Sequence, residues 1–409
     1  MAQDVTTKSE SLRHGKITDE GIRAVRARMN WPSRGGRPAF YDEITKDNIR
    51  HFAMGVGDIN LLFNSEEYAN KTLWAGMIAP PCMLYSTGSP EPPKRKITPE
   101  ELVAGKGGGL PGVHGMFSGT TFDWYLPMRR GDRVTSAPNG GEVFEKEGRF
   151  AGRELLVHQD TIYRNQNGEV VATARESHIR TERQAASGKG KYSYLEPATY
   201  TDEDLEKIWA DYDREEVRGA NPRYWEDVVV GEEITPIVKG PLTVTDMVAW
   251  KIAWGFRPFV FAHRLGYDNW RRRPGSKSKN QLGVPDVPER VHWDNEYARE
   301  VGVPAAYDYG PQRISWLGQL MTNWIGDDGF LRRLSAELRR FNLVGDTTWC
   351  RGRVVNKEIR DGDYLVECEI WCVDQRGEIT APGRAIALLP SRVGGSVALP
   401  AKGRPEWPE

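Results

Sequence analysis

The order of sequence patterns in the first half of this 409-residue chain returns in the second half. In each half, a helical pattern precedes four segments with the character of β-strands. A seven-residue stretch sets the register, because residues 63–69 (FNSEEYA) align with residues 292–298 (HWDNEYA). The chain is too long for one ordinary core, and two copies of one α+β unit account for the matches. We therefore predict two similar domains.

Helix and turn signals agree with this register. Thr45 and Thr243 each precede apolar residues at helical spacing, and threonine is a favoured N-cap. The turn residues Gly131-Asp132 return as Gly345-Asp346. The predicted strands cover residues 117–127, 133–147, 154–165 and 169–180 in the first copy, and 333–342, 347–357, 364–373 and 378–390 in the second.

The second copy contains an insertion. The capped helices pair at an offset of 198 residues and the register-setting stretches at 229, so 31 extra residues lie between about 256 and 288. Arg271, Arg272 and Arg273 belong to a strongly basic run inside this insertion. Arginine forks match phosphate oxygens, which favours a site for the phosphates of a ligand. A solvated loop is the alternative, because charge runs usually face water.

These patterns divide the chain into five parts. We predict an N-terminal arm without order (1–40), a first domain (41–184), a linker with a short helix (185–222), a second domain (223–393) and a tail (394–409). The four cysteines have neither CxxC spacing nor a nearby histidine pair. Buried reduced thiols are therefore expected, with no disulfide and no metal site.

Charge and hydropathy limit the partners. The chain has 56 basic and 57 acidic residues, a formal net charge of -1, which argues against nucleic acid or an anionic membrane as the main partner. The first residues lack the apolar core of a signal peptide, and no segment approaches the roughly 20 apolar residues of a membrane span. We expect a cytoplasmic protein.

The two copies differ where chemistry would take place. His292 aligns with Phe63, and Gly310, eighteen residues after the histidine, aligns with Pro81. Gly310 begins a predicted helix over residues 310–325, and a helix N-terminus has free N–H groups that stabilise an oxyanion. Histidine is eligible for acid/base work near neutral pH, whereas phenylalanine moves no proton and proline donates none. We predict one active site, in the second half; a glycine used only for a tight turn is the alternative reading of Gly310.

The carboxylate partner of this histidine is not obvious from spacing. Asp58 resembles a catalytic carboxylate but lies in the copy without the histidine, so we predict that it caps a helix or turn. Its counterpart in the second copy is Phe256 or Val287, depending on where the insertion begins, and neither is acidic. Asp286, one position from Val287, would serve if the loop bulges.

Other residues near the predicted site receive simpler interpretations. Asp294 is predicted to cap the helix that follows it. His263 lies in the insertion and is predicted to be a surface residue. Asp268 and Asp308 are weaker candidates than Asp286 for the carboxylate.

Together, these motifs resemble the MaoC-like (R)-specific enoyl-CoA hydratases, in a two-domain form with a degenerate first half. The family pattern is roughly GDxNPxHxDxxxA, followed by a glycine eighteen residues after the histidine. Residues 57–60 (GDIN), 68–69 (YA) and 76–81 (GMIAPP) resemble the first-half version. Residues 292–294 (HWD), 297–298 (YA) and Gly310 resemble the second-half version, and the resemblance spans about residues 40–392.

The resemblance implies a double hotdog, in which antiparallel sheets wrap around central helices and an acyl-CoA binds between the two halves. It implies a lyase that hydrates a trans-2-enoyl-CoA to an (R)-3-hydroxyacyl-CoA, with His292 as acid/base and Gly310 binding the thioester oxygen. Tyr309 and the three arginines of the basic run are predicted to contact the substrate. No metal is expected, nor any cofactor beyond the CoA of the substrate, and a homodimer is possible.

One departure from the family pattern affects the predicted site. The family aspartate is absent at its usual distance before His292, and Glu289 stands where the family has asparagine. Asp286 is our choice for the carboxylate, with Glu289, Asp268 and Asp308 left as alternatives. A non-catalytic acyl-CoA-binding subunit, or a thioesterase that attacks the thioester carbon itself, remains an alternative to the hydro-lyase.

Overall fold

The computed structural model describes residues 15–29, 31, 38–93, 95–104, 110, 112–148, 152–182, 195–255, 260–272 and 277–403. Within these ranges, none of the helices has the length and apolar character that a membrane crossing needs. The four cysteines are unpaired and buried.

The described strands are β1 (Ser89–Pro90), β2 (His114–Trp124), β3 (Thr135–Gly148), β4 (Gly152–Arg164), β5 (Val170–Thr181), β6 (Glu233–Lys239), β7 (Ser278–Lys279), β8 (Pro285–Asp286), β9 (Phe330–Glu337), β10 (Thr348–Arg360), β11 (Asp363–Asp374) and β12 (Ile379–Leu388). They pair antiparallel, except that β1 runs parallel to β3. All eight strands predicted from the sequence are present.

The described helices lie mainly before the strands of each copy. They are α1 (Asp19–Arg28), α2 (Lys46–Val56), α3 (Leu61–Asn64), α4 (Glu66–Ala69), α5 (Pro99–Ala104), α6 (Asp202–Tyr212), α7 (Val244–Trp254), α8 (His263–Arg272), α9 (Asn295–Glu300) and α10 (Gly310–Ile325). Short 3-10 helices cover Pro81–Ser86, Trp225–Asp227 and Pro288–His292.

Ten strands form one sheet that runs through both copies. Their order is β1-β3-β4-β5-β2-β9-β12-β11-β10-β6, and β7 and β8 form a separate hairpin. The joint is the antiparallel pair of β2 and β9, from Gly119 opposite Glu337 to Asp123 opposite Arg333. Corresponding strands therefore stand in mirror order on either side of the joint, which is the predicted α+β double hotdog.

The two copies also repeat a turn-to-turn hydrogen bond. Asp132 accepts from the Gln166 amide at 3.1 Å, and Asp346 accepts from the Gln375 amide at 2.7 Å. Each glutamine oxygen in turn accepts a backbone N–H at 3.0 Å, from the residue after its aspartate. The two Gly-Asp turns, whose recurrence the sequence predicted, therefore also share the same side-chain contacts.

The central helices of the two copies are unequal. Every residue of α10 from Gln312 to Ile325 is buried. Its counterpart is the six-residue 3-10 helix Pro81–Ser86. The two meet tightly, because a Cβ added to Gly318 would lie 2.7 Å from Cys82 Sγ.

Helices α2 and α7 pack against each other across the joint. Both begin at the predicted threonine caps, Thr45 and Thr243. A Cβ on Gly55 would lie 2.2 Å from the Ala253 Cβ, so the glycine permits the close approach. This contact fixes the end of α7, which carries Lys251 into the site described below.

The described elements that the sequence patterns did not predict include an N-terminal helix and an edge strand. The arm predicted to be without order contains α1, whose Ile22 and Val25 are buried with Leu110 and Leu155. Its two core-facing residues leave a weak apolar pattern in the sequence. Strand β6, which was not predicted, lies at the sheet edge, where a strand tolerates its internal Pro236.

Candidate active site

A 3-10 helix, Pro288–His292, positions the histidine. Asp294 then caps α9 by accepting the N–H three residues further on at 3.0 Å, as predicted. Arg290, within the 3-10 helix, is 2% exposed and donates to the Ser278 hydroxyl of β7 at 3.1 Å. The turn that carries the histidine is therefore attached to the insertion.

The ring of His292 is held by hydrogen bonding to the backbone and by two aromatic contacts. Its Nδ1 lies 2.8 Å from the carbonyl oxygen of Tyr307. Because a carbonyl only accepts, we assign the proton to Nδ1, which leaves a lone pair on Nε2. The ring stacks on Tyr309 with centroids 3.8 Å apart and meets Tyr307 edge to face at 4.7 Å.

Electrostatics keep this histidine neutral. Burial lowers the pKa of His292 to about 4, and the positive charge of Lys251 acts in the same direction, while hydrogen bonding to the backbone of Tyr307 and Asp308 opposes it. At neutral pH, Nε2 is therefore free to accept a proton, which is the state that a general base needs.

Glu289 lies in the same cluster of side chains. One carboxylate oxygen, Oε1, accepts from Lys251 Nζ at 2.8 Å and from the Tyr309 hydroxyl at 3.1 Å. The other oxygen, Oε2, is buried, and no described residue bonds to it. Burial lowers the pKa of Lys251 to about 8 despite Glu289, and burial followed by Glu289 raises the pKa of Tyr309.

The 3-10 geometry explains why Glu289 joins the cluster. Such a helix has three residues per turn, so side chains three positions apart lie on the same side. Glu289 and His292 have this separation within Pro288–His292. The carboxylate of Glu289 therefore lies on the same face of this turn as His292.

Gly310 is the first residue of α10, and its N–H has no acceptor within the helix. Its surroundings leave no room for a side chain, because a Cβ would lie 2.4 Å from Phe117 Cδ1 and 2.5 Å from Leu338 Cδ1. Phe117 belongs to β2 of the first copy. Both halves of the chain therefore enclose this helix N-terminus.

Asp286, the carboxylate chosen from the sequence, is engaged elsewhere. Its oxygens accept from the Asn280 amide at 3.2 Å and from the Val287 N–H at 2.7 Å. Among the described residues, no hydrogen bond joins Asp286 to His292. A bulge before Val287 would have brought Asp286 to the histidine, but this segment forms the β7–β8 hairpin. Glu289 lies in the cluster instead.

The two weaker carboxylate candidates are also engaged in other contacts. Asp308 is 2% exposed and pairs with Arg313, whose Nε donates to it at 2.7 Å. Such a buried pair is costly to break, so we read it as structural. Asp268 lies on α8 and accepts from Arg264 at 3.1 Å.

The arginines predicted to contact the substrate lie on the insertion. Arg271 and Arg272 are exposed at the end of α8, where they donate to Tyr267 and to the carbonyl of Asp268, each at 3.1 Å. No described contact joins them to His292. Arg273 lies outside the described residues. His263, at the start of α8, is exposed, as predicted.

The corresponding position in the first copy is an apolar pocket. Phe63 and Pro81, the counterparts of His292 and Gly310, both line it. Asp58 accepts the Asn60 N–H at 2.9 Å, which is the predicted turn cap, and burial raises its pKa to about 6. At this position the first copy has Phe63 in place of the histidine and Pro81 in place of the glycine N–H. It therefore lacks the groups that the acid/base chemistry described above needs.

The sequence interpretation missed Lys251 and Tyr307. Lys251 is a single basic residue in the otherwise largely apolar second half of α7, and that mismatch was a usable signal. Tyr307 acts through its backbone carbonyl, which no side-chain pattern reveals.

Similarities to known proteins agree with the fold. A family model described as the FAS1-like dehydratase domain region matches residues 37–174, and no curated protein sequence matches the chain significantly. A solved structure named MaoC-like dehydratase is 15% identical, with a TM-score of 0.58 over 89% of this chain and 99% of the other. A putative MaoC domain protein dehydratase from Chloroflexus aurantiacus J-10-fl is 14% identical, with a TM-score of 0.51 over 88% and 95%.

At these identities, the structural neighbours establish the fold alone. The family model concerns the first copy, and its description names a dehydratase domain region. The family model on the first copy and the fold shared over most of the chain are consistent with the resemblance to the MaoC-like dehydratases.

Proposed function

We propose that the protein is a hydro-lyase that adds water to, or removes it from, the 2,3 double bond of an acyl-CoA thioester. One observation carries the proposal: the Nδ1 of His292 lies against a carbonyl oxygen, which leaves the Nε2 lone pair for a substrate, and the same turn holds a carboxylate whose Oε2 is buried without a partner among the described residues. A free helix N–H at Gly310 completes the set of groups that such a reaction needs.

In the hydration direction, water gives one proton to Nε2 of His292 while its oxygen bonds to C3 of the enoyl group. The electron pair of the C2=C3 bond moves toward the thioester carbonyl, whose oxygen becomes an enolate bound by the Gly310 N–H. Transfer of the proton from His292 to C2 restores the carbonyl. Dehydration is the reverse sequence, and no oxidant or reductant takes part.

Glu289 supports this chemistry through its free oxygen. Oε2 accepts the second hydrogen of the attacking water and so orients the water oxygen toward C3. Lys251 holds the carboxylate in place through its 2.8 Å contact with Oε1. Burial lowers the pKa of His292, and the positive charge of Lys251 acts in the same direction.

The surrounding side chains suit a thioester substrate. Phe117 lies against the N-terminus of α10 and Tyr309 against His292, and apolar surroundings strengthen a hydrogen bond to a developing oxyanion. Arg271 and Arg272 are exposed, so they are accessible to the phosphates of CoA. The CoA portion is thus assigned to the side of the insertion.

A panel of trans-2-enoyl-CoA thioesters tests the proposal. The enoyl absorbance should fall with time while no free thiol appears. His292→Ala should lower kcat by about 10²-fold or more, the usual contribution of general acid/base catalysis. His263→Ala, an exposed histidine of the insertion, is the matched control and should react like the parent.

Three other outcomes would contradict the proposal or the role of His292 in it. Release of thiol would identify a thioesterase, and saturable binding without either signal would identify a non-catalytic acyl-CoA-binding protein. An unchanged rate in His292→Ala would remove the histidine from the mechanism.

A further inference from the structure

Tyr309 lies where the groups of the candidate active site meet. It directly precedes Gly310 at the start of α10, and it is 4% exposed. Its backbone N–H donates to the side-chain oxygen of Gln312 at 3.4 Å, which attaches it to the first turn of the helix. This one buried residue therefore adjoins the helix N–H, and its side chain contacts the two other groups that the proposed reaction needs.

The hydroxyl of Tyr309 helps to fix the carboxylate of Glu289. It donates to Oε1 at 3.1 Å, and Lys251 Nζ donates to the same oxygen at 2.8 Å. Two donors restrain the rotation of a carboxylate more than one does, and supporting hydrogen bonds of this kind hold a reactive group in its working geometry. The direction of Oε2, the oxygen assigned to the attacking water, is thus set through Oε1.

This hydroxyl is engaged and does not offer a proton to a substrate. A phenol has a single O–H donor, and here that donor is used for Glu289. Burial, followed by Glu289, raises the pKa of Tyr309, so the hydroxyl stays protonated at neutral pH. Proton transfer from Tyr309 to a substrate would first have to break its bond with Glu289.

The ring of Tyr309 fixes the plane of His292. The two rings are stacked, with centroids 3.8 Å apart and planes at 26°. A hydrogen bond to a carbonyl oxygen tolerates a broad range of ring angles, whereas stacked aromatic rings prefer a defined arrangement. The stacking therefore determines the direction in which the Nε2 lone pair points.

Tyr309 is itself held against movement. Trp254 of α7 meets its ring edge to face, with centroids 5.4 Å apart and planes at 64°. Lys251 Nζ lies 5.5 Å from the centre of the same ring, which is a cation–π distance. Because α7 packs closely on α2, the ring is fixed by elements outside the turn that carries His292.

We propose that Tyr309 is a positioning residue of the candidate active site: its hydroxyl orients Glu289 and its ring orients His292 toward one substrate. This inference rests on the proposed function and deepens it. The role requires neither a proton from Tyr309 nor a contact between its side chain and the substrate. A direct contact with the substrate, which the sequence predicts, is the competing role.

Two substitutions separate the hydroxyl from the ring. Tyr309→Phe removes only the hydroxyl and should lower kcat by about tenfold, because Glu289 loses one of its two donors. Tyr309→Leu also removes the stacked ring and should lower kcat by about 10²-fold. KM should change far less than kcat in both variants, because a positioning residue does not bind the substrate. Steady-state hydration of trans-2-enoyl-CoA thioesters by the full chain measures both constants.

Tyr297→Phe is the matched control. Tyr297 is a partly buried tyrosine of α9 whose ring contacts Arg290, and among the described residues no hydrogen bond involves its hydroxyl. Loss of this hydroxyl should leave kcat unchanged. An unchanged kcat in Tyr309→Phe would overturn the proposal, and a raised KM at constant kcat would assign Tyr309 to substrate binding instead.

A second measurement needs no substrate. Histidine-selective labelling gives an NMR signal for the ring of His292, which is identified by its absence from His292→Phe. An aromatic ring shifts the resonances of protons above its face upfield. The ring signals of His292 should therefore move downfield in Tyr309→Leu and stay close to their parental positions in Tyr309→Phe. Signals that stay in place in Tyr309→Leu would overturn the role of the ring.

The two measurements distinguish failure of this inference from failure of the proposed function. If the parent hydrates no enoyl-CoA, the proposed function fails, whereas the NMR signals still show whether the tyrosine orients the histidine. If the parent is active and Tyr309→Phe matches it, only the positioning role fails. Should Tyr309→Leu not fold, the kcat of Tyr309→Phe decides alone.

Discussion

The two copies share the same helix caps and turns but differ in the side chains that these elements position. Ser65 and Asp294 occupy the same position and each caps a short helix. Two residues before these caps, one copy has Phe63 and the other His292. The central helix has six residues in the first copy and sixteen in the second.

This contrast separates what the fold needs from what the site needs. Caps, turn-to-turn bonds and strand order are present twice, because each copy requires them to fold. The histidine, the free helix N–H and the carboxylate of the preceding turn are present once. A residue type found in only one of two equivalent positions is therefore a better guide to chemistry than its burial or charge alone.

The largest expected effect comes from making the second copy like the first at its key position. His292→Phe should lower enoyl-CoA hydration by about 10²–10⁴-fold, because no other group in the cluster supplies a neutral base. The reverse change, Phe63→His, should add no activity, since Pro81 offers no N–H. Steady-state rates check both, and a gain from Phe63→His would show that the copies differ less than their structures indicate.

Glu289→Gln is expected to cost about 10²-fold in kcat, with KM changed far less. The amide keeps the shape of the side chain but loses the charge and one acceptor position that orient water. Asp286→Asn serves as the control, because Asp286 closes a hairpin. If Asp286→Asn were the more damaging change, the carboxylate assigned from the sequence would be the right one.

Gly310→Ala should reduce both stability and rate. A methyl group at 2.4 Å from Phe117 Cδ1 forces a shift that costs about 1–3 kcal/mol in the free energy of unfolding. A displaced N–H should lower kcat by about tenfold or more. Phe117→Ala combined with Gly310→Ala should recover part of the loss, and a double variant no better than the single one would place the clash elsewhere.

The two Gly-Asp turns should differ in their contribution to the free energy of unfolding, by less than the effects above. Asp132→Ala loses the Gln166 contact and is expected to cost about 1–2 kcal/mol. Asp346→Ala should cost about 1 kcal/mol more, because Arg376 also donates to it at 2.6 Å and is largely shielded from water. Denaturant unfolding of the two variants measures the difference, and equal losses would mean that the arginine contributes little.

The pH dependence of stability should also distinguish the copies. The pKa of His292 is lowered to about 4, so the folded chain disfavours its protonation while the unfolded chain binds a proton near pH 6.5. Its contribution is therefore fully present above about pH 6.5 and is lost as pH falls toward 4. His292→Phe should lose less stability than the parent over this window, as thermal melts at several pH values would reveal; identical slopes would contradict the burial of the ring.

Much of this arrangement follows from local sequence signals. Gly310-Pro311 and the apolar spacing after it gave both ends of α10, because a helix start and a buried stripe are local properties. The carboxylate partner did not follow in the same way. Whether Glu289 or Asp286 reaches the histidine depends on a 3-10 turn and a hairpin, and both are set by tertiary contacts such as that of Arg290 with β7.

The antiparallel pairing of β2 with β9 has one further consequence. In a symmetric dimer of identical subunits, every substitution appears twice, so a change that suits one site alters its twin as well. Here the equivalent joint lies within one polypeptide, and each position changes independently of its partner. A covalently linked pair of this kind is free to give up one of two equal sites and turn the vacated space to another use.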